Sequence, residues 1–297
     1  MMQLLWLETY KIARKPRTYI AFAAIAAIVW VFQFAFLADG QSYMSLMLQQ
    51  VQDDFELDKK LAINGYFMCY IILNTLLVQM PILVALVAGD AISGEANMGT
   101  LRLLLTKPIS RTELLLAKFV AAFLFTLVLL IWMAFLSLFM SMWIFGVDDL
   151  LVFRVSGSSS MILQIGQDDV MWRYVASFGY ATLALTVVSA LAILFSVFAD
   201  NSIGPIVAAV CVVLFFTIVS NLNVPLIDQY VKPYLFTSYL VGWKGFFYVA
   251  TDADGLPISG SMENWPAVRQ SILILFAHIG LFLGSALYFF HKKDILS

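Results

Sequence analysis

The side chains that usually carry catalysis occur here in arrangements that match none of the common catalytic motifs. The chain has two histidines, His278 and His291, which lie too far apart for the H-E-x-x-H arrangement that binds zinc. The serine-rich stretch at residues 156–160 lacks the G-x-S-x-G turn of a hydrolase nucleophile. No G-x-x-x-x-G-K-[ST] loop is present, so the chain cannot hold a nucleotide in the P-loop manner. We therefore predict no catalytic, cofactor or metal site in this chain.

Acidic residues cluster in three stretches: Asp53, Asp54, Glu56 and Asp58, then Asp148 and Asp149, then Asp168 and Asp169. Neighbouring carboxylates can bind a cation, but none of these stretches has the Asp/Asn/Gly spacing of a calcium loop. A solvated loop face therefore explains them better than a cation site.

The apolar runs of the chain contain neutral polar side chains but no Asp, Glu, Lys or Arg at their centres. The neutral ones are Gln33, Asn74, Gln79 and His278. A charge buried in a bilayer costs a few kcal/mol and persists where function needs it. The sequence therefore disfavours a proton- or sodium-driven carrier, and hydrogen bonds between helices are the expected role of the neutral residues.

The composition is that of a membrane protein, with 62% hydrophobic and 12% charged residues and a mean hydropathy of +0.91. A net charge of −2 without a basic run gives no indication of nucleic acid binding. Six apolar runs are long enough to cross a bilayer, at residues 18–37, 66–88, 119–145, 174–198, 203–219 and 271–290. The predicted fold class is an all-α integral membrane protein, a single domain over residues 1–297 in contact with lipid.

Two further features lie outside these spans. Residues 2–15 form an amphipathic pattern, which predicts a helix in the membrane surface with its basic residues toward the headgroups; an ordinary basic flank of the first span is the alternative. The predicted outer loops are residues 38–65, 146–173 and 220–270. The last of these mixes aromatic residues with lysines, which favours one or two short helices at or re-entering the interface.

The distribution of lysine and arginine predicts the orientation. Ten of the 17 cations lie on the side that holds both termini. They are Lys11, Arg14, Lys15, Arg17, Arg102, Lys107, Arg111, Lys118, Lys292 and Lys293. The opposite side has the longer loops and holds Lys59, Lys60, Arg154, Arg173, Lys232, Lys244 and Arg269. The positive-inside rule therefore places both termini in the cytoplasm.

Residues 90–118, between the second and third spans, combine charges with a helical apolar pattern. Met98, Leu101, Leu104 and Leu105 fall on one helical face, and Pro108 ends that run. Ser110 and Glu113 have the spacing of a capping box, which predicts a new helix from Arg111. We therefore expect a short amphipathic helix that lies crosswise between two spans.

This segment strongly resembles the cytoplasmic signature of ABC type-2 transporter permeases, in the branch with NosY-like and bacterial multidrug or sodium exporter subunits. The matching residues are Asp90, Gly94, Glu95, Gly99, Thr100, Leu101, Leu104, Leu105, Pro108, Ile109, Ser110, Arg111 and Lys118. The arrangement of spans is also similar over nearly the whole chain. The outer loops match no pattern, so the resemblance does not indicate a substrate.

The resemblance implies that the short helix is a coupling helix, seated in a groove of a separate cytoplasmic ATPase that holds ATP and Mg²⁺. It implies two permeases, most simply a homodimer, and two ATPase chains in the bacterial inner membrane. The expected interface residues are Glu95, Gly99, Thr100, Leu101, Leu104, Leu105, Pro108 and Arg111. Glu95 and Arg111 would fix the register by charged hydrogen bonds; for the leucines, packing on their own bundle or in the headgroup layer is the alternative.

Two functions follow from the resemblance. The first is export of a small or amphipathic molecule, driven by ATP hydrolysis on the partner, so the chain itself is not an enzyme. The second is mechanical, in which the permease passes ATP-driven motion to a periplasmic partner and moves no solute. An ATP-independent carrier or channel is a third possibility.

Overall fold

The computed structural model describes residues 1–49, 63–106, 108–156, 159–222, 224–252 and 257–293 of the 297. The acidic cluster at residues 53–58 lies outside the described residues, as do Lys59, Lys60, Lys107 and the side chain of Leu105. The predictions that rest on these residues stay predictions.

Six helices are long and apolar enough to cross a membrane, which confirms the predicted all-α membrane fold. They are α2 (Pro16–Gln49), α3 (Gly65–Ala88), α6 (Arg111–Ala134), α8 (Gln167–Phe198), α9 (Ile203–Asn221) and α11 (Trp265–Lys292). The third span continues from α6 through a π-helix (Phe135–Met140) into α7 (Ser141–Phe145). Several helices extend past the predicted spans, because a helix need not end where its apolar run ends.

Helix α8 is the centre of the bundle and packs against α3, α6, α9 and α11. In its most apolar stretch 78% of the residues are buried, against 17% for α9 and 11% for α11. Small side chains such as Ala184 and Ser189 allow the neighbouring helices to approach closely. Much of α9 and α11 is therefore left to face lipid or another chain.

The π-helix in the third span lies beside a polar side chain of α2. Gln33 is buried, and its Nε2 donates to the carbonyl of Leu136 and to Ser141 Oγ, both at 3.0 Å. A π-helix leaves carbonyls outside the regular α-helical bonding pattern, and here a neighbouring helix satisfies one of them. Gln33 thus makes the hydrogen bonds between helices that the sequence predicted.

The opposite end of the bundle from the chain termini carries more regular structure than the sequence indicated. A two-stranded antiparallel hairpin, β1 (Leu150–Ser156) and β2 (Ser159–Ile165), precedes α8. After α9 come α10 (Pro225–Tyr230) and three 3₁₀ helices, Lys232–Tyr234, Phe236–Tyr239 and Gly242–Phe247. The sequence predicted one or two short helices here, and the described residues of this segment form four.

The 3₁₀ helices are held by aromatic packing and by hydrogen bonds to the long helices. Trp243 and Phe247 are buried, and the Ser177 hydroxyl of α8 donates to the Trp243 carbonyl at 3.2 Å. His278 Nε2, near the middle of α11, lies 3.2 Å from the carbonyl oxygen of Tyr234. Residues 232–247 therefore pack against the ends and sides of the spanning helices α8 and α11, which explains their high aromatic content.

An ion pair at the start of α8 clamps this outer segment. Arg173 is fully buried, and its Nη2 donates to Asp169 Oδ2 at 2.5 Å and to the Ser261 carbonyl at 2.9 Å. Its Nη1 donates to the Phe246 carbonyl, and Asp169 Oδ1 accepts from the Gly260 N–H at 3.0 Å. The prediction of a solvated face is therefore wrong for Asp169, because the guanidinium four residues further along the helix compensates its buried charge.

We expect Arg173→Ala to lower the free energy of unfolding by about 3–5 kcal/mol, since it leaves the Asp169 carboxylate buried without its cation. Denaturant unfolding of the purified protein measures this loss. Hydrogen exchange should also become faster across residues 242–247, because Arg173 binds the Phe246 carbonyl in that helix.

Lys232→Ala is the matched control. The Lys232–Asp228 pair also has i, i+4 spacing, but its side chains are 23% and 44% exposed. Removing an ion pair with that exposure costs about 1 kcal/mol or less. Equal losses in the two variants would contradict the assigned role of Arg173.

Candidate functional site

The segment between the second and third spans folds as two short helices, α4 (Ser93–Asn97) and α5 (Thr100–Leu105). Gly99 separates them with φ +70°, a left-handed conformation that glycine adopts without steric cost. Ser110 caps α6, and the predicted capping box with Glu113 is present. The chain therefore turns sharply twice, and α5 lies as a short arm between α3 and α6.

The side chains of α5 point in directions that the sequence did not predict. Leu101 is only 1% exposed and packs into the bundle, and Leu104 is partly buried against the same core. Packing on the chain's own bundle, the alternative considered for these leucines, therefore holds for Leu101. On α5 Leu103 faces outward and is 68% exposed, and Met98, which lies just before α5, is 64% exposed. Gly99 and Pro108 are exposed and Thr100 is half-buried.

An open groove runs between α5 and the N-terminal helix α1 (Met2–Arg14). Its volume is about 550 Å³. The residues that line it are Leu7, Tyr10, Lys11, Arg14, Lys15, Glu95, Met98, Thr100, Leu103 and Leu104. The groove is thus lined by apolar side chains, such as Leu7 and Leu103, together with the cations of Lys11, Arg14 and Lys15 on the α1 side. The sequence missed the α1 contribution because contacts between segments so far apart in the chain leave no local pattern.

A cluster of four charges, the four-residue ion cluster (Glu8, Lys11, Glu95 and Lys118), joins this segment to α1 and α6. Lys118 is 2% exposed, and its Nζ lies 2.9 Å from Glu8 Oε2 and 2.8 Å from Glu95 Oε2. Lys11 Nζ lies 2.7 Å from Oε1 of each glutamate. Two carboxylates and two ammonium groups therefore balance each other, and Glu8, Glu95 and Lys118 are almost fully buried.

Burial and ion pairing act in opposite directions on this cluster. Burial raises the pKa of the Glu8 carboxyl, but Lys118 and Lys11 outweigh it and hold the pKa below its ordinary value of 4.5. Burial likewise lowers the pKa of Lys11, but hydrogen bonds to Glu8 and Glu95 hold it above 10.5. The Glu8 carboxylate and the Lys11 ammonium group therefore keep their charges at neutral pH.

Further contacts fix the same segment. Asp90 Oδ2 lies 2.6 Å from Lys15 Nζ, and Asp90 Oδ1 lies 3.0 Å from Arg17 Nη1. The Ser196 hydroxyl of α8 accepts from the Ser93 N–H at 2.9 Å. Residues 90–95 are thus attached to α1, α2 and α8 as well as to α6.

Two of the predicted interface residues therefore have internal partners. Glu95 is 5% exposed within the ion cluster. Arg111 Nη1 donates to the carbonyls of Phe290, His291 and Lys293, which lie at the C-terminal end of α11. Helix ends leave such carbonyls unpaired, so Arg111 caps α11 and joins it to α6.

Two basic residues of the N-terminal segment have partners that the sequence did not predict. Lys11 and Lys15 point to Glu95 and Asp90, where the sequence had predicted headgroups. The apolar residues Met2 and Trp6 are 84% and 67% exposed on another face. Since α1 contacts α6, and α6 contacts the end of α11, both chain termini lie at the same end of the bundle as α5.

We expect Lys118→Met to lower the free energy of unfolding by about 3–5 kcal/mol, because both glutamates would stay buried with only Lys11 near them. Chemical unfolding measures the loss. Lys292→Met, at an exposed lysine of α11, is the control and should stay within about 0.5 kcal/mol. Similar stability of the two variants would contradict the linking role of the cluster.

The pKa of Glu8 leads to a pH prediction. A carboxyl whose folded pKa is depressed contributes stability that is complete above its ordinary value of 4.5 and is lost as the pH falls through the lower folded value. We expect thermal stability to drop over that acidic range in the wild type and to drop less in Glu8→Gln. Asp200→Asn, at a side chain that is 82% exposed, should keep the wild-type dependence. An unchanged acid profile in Glu8→Gln would contradict the assignment.

Comparison with known proteins identifies the family to which this chain belongs. A search of curated proteins gives no match. A family model described as ABC-2 family transporter protein matches residues 2–295. Such proteins are multi-pass permease subunits of ABC transporters, which work with an ATP-binding subunit and are not themselves catalytic. Since the match covers nearly the whole chain, this protein belongs to the ABC-2 transporter family.

Proposed function

We propose that this permease converts ATP hydrolysis on a separate cytoplasmic ATPase into export of a substrate across the bacterial inner membrane. The observation that carries the proposal is the groove between α1 and α5, with Leu103 and Met98 exposed at its edge. The groove lies at the end of the bundle that holds both termini. In the proposed orientation this end is cytoplasmic, in agreement with its excess of lysine and arginine.

The exposed apolar side chains of Leu103 on α5 and of Met98 just before it support a docking role. Both residues line the groove between α1 and α5, and burying a leucine or methionine side chain is worth roughly 1.5–3 kcal/mol. Cations on the α1 side, with Arg14 the most exposed of them, would complement carboxylates on the partner. We infer that the ATPase contacts Met98 and Leu103, and that Glu95 of α4 and Leu101 of α5 hold this segment in place from inside.

The same contacts give a route for motion. Helix α4, which directly precedes α5, is attached to α1 and α6 through the four-residue ion cluster and to α8 through Ser196. These ion pairs and hydrogen bonds are 2.7–2.9 Å long, so a displacement of α5 by the ATPase would move α1, α6 and α8 together. Because α8 is the packed centre of the bundle, the displacement would reach the outer segment through Arg173.

The exposed face of α3 supports the presence of a second permease copy. Asn74 and Gln79 lie near the middle of α3 and are exposed, and neither side chain makes a hydrogen bond within the described part of the chain. An unpaired amide in hydrocarbon costs several kcal/mol. We infer that this face lies against the second copy or lines a polar path between the copies.

ATP and Mg²⁺ belong to the ATPase in this proposal. The sequence contains no P-loop, and the part of the chain that the structure describes contains no group of three metal-binding side chains. In this proposal the role of this chain is to bind the ATPase and to change shape with it.

The test is Leu103→Asp, expressed together with the ATPase encoded nearest to the permease gene. We expect the variant to insert in the membrane normally and to lose both co-purification with the ATPase and stimulation of ATP hydrolysis. The introduced charge would have to be buried at the contact, which is unfavourable without a partner cation.

Leu226→Asp is the matched control, since Leu226 is 67% exposed in α10 at the other end of the bundle. It should retain co-purification. Normal co-purification and stimulated hydrolysis with Leu103→Asp would overturn the docking site, whereas loss in both variants would show that the effect is not specific to α5.

A further inference from the structure

A second cavity lies on the other side of α1, where α1, α2 and α6 meet. Its volume is about 260 Å³. The lining residues are Thr9, Ile12, Ala13, Thr18, Tyr19, Phe22, Ala121, Leu124, Phe125 and Val128. None of these residues carries a charge. We call this cavity the α1 crevice.

The two threonines of the α1 crevice are already bonded. Thr9 Oγ1 donates to the Leu5 carbonyl at 2.9 Å, and Thr18 Oγ1 donates to the Ile12 carbonyl at 2.5 Å. A buried water needs two to four polar partners, and an apolar cavity of about 150 Å³ stays dry and binds benzene. The α1 crevice is larger than that cavity, and its two threonine hydroxyls already donate to backbone carbonyls, so a hydrocarbon chain fits it better than water does.

The mouth of the α1 crevice lies on the lipid side of the bundle. Tyr19 of α2 and Val128 of α6 are 64% and 51% exposed on spanning helices. On α1, Met2, Trp6, Thr9 and Ala13 are spaced as one helical face, so the exposed apolar surface of α1 continues into the crevice. Tyrosine and tryptophan are enriched at the headgroup level, which places the crevice just inside the leaflet that α1 contacts.

We propose that the α1 crevice binds an acyl chain of a phospholipid from the leaflet that contacts α1. The lipid fills the space between α1 and the two spans, where protein packing is incomplete, while the ion pair of Glu8 with Lys118 attaches α1 to α6. Since no charged residue lines the crevice, the site recognises the chain and not the headgroup.

The experiment uses the purified permease in phosphatidylcholine vesicles without the ATPase. The vesicles contain a phosphatidylcholine with a diazirine on its acyl chain, and the labelled residues are mapped by mass spectrometry after illumination. We expect several-fold more label at Leu124 and Phe125 than at Leu273 and Phe276, which are 60% and 58% exposed on α11.

Two variants fill the α1 crevice without disturbing the core. Ala13→Trp enters from the exposed side of α1, and Val128→Trp enters from α6. Both should lower the labelling of Leu124 and Phe125 several-fold. The control is Ala277→Trp, at an exposed alanine of α11, which should leave that labelling unchanged. Replacing the probe by its phosphatidylglycerol analogue should also leave the labelling unchanged.

Three outcomes would overturn the proposal. The first outcome is that the amount of label at Leu124 and Phe125 equals the amount on α11, which would mean ordinary contact with bulk lipid. The second outcome is that both tryptophan variants leave the labelling of Leu124 and Phe125 unchanged, which would mean that the acyl chain lies elsewhere. A strong preference for the phosphatidylglycerol probe would show that the headgroup is recognised. Because the ATPase is absent, none of these outcomes bears on the proposed docking site.

Discussion

A buried lysine between two glutamates is the interaction on which the α5 end of the molecule depends. Removing an ammonium group from water costs several kcal/mol, so Lys118 can lie inside the protein only where carboxylates surround it. Those carboxylates come from two other elements, Glu8 of α1 and Glu95 of α4. Helices α1 and α4 have only 13 and 5 residues, so apolar packing alone does not fix their positions. The shared charge therefore fixes the positions of the surface helix and of the connecting arm relative to the third span.

The same physical solution appears at the other end of the bundle. Arg173 and Asp169 are buried together, and the remaining donors of Arg173 bind backbone carbonyls of the outer segment. Between the two charged sites the spans are joined by apolar packing and neutral hydrogen bonds, such as those of Gln33. Charges thus hold the ends, where segments of irregular structure must be fixed, and the hydrocarbon-facing middle avoids them.

These constraints also decide what the protein exposes. Because the ion cluster turns one face of α1 inward, its apolar face remains outside and continues into the α1 crevice. Because Leu101 packs inward, Leu103 must face outward on the same short helix. In our proposals the α1 crevice binds lipid and the groove between α1 and α5 binds the ATPase, so α1 separates the two surfaces. We infer that a permease of this kind combines membrane attachment and ATPase docking on the two sides of one helix.

The sequence by itself determined the features that depend on local chemistry. Apolar runs located the six spans, the Ser110–Glu113 spacing located the start of α6, and the missing P-loop excluded nucleotide binding of that type, because hydropathy, caps and motifs act over a few residues. Only the tertiary structure decided which charges are buried and how the short helices are rotated. Lys11 meets Glu95 across 84 residues, and Lys118 meets Glu8 across 110. An apolar pattern on a helix of one or two turns does not specify its rotation, which such distant partners set.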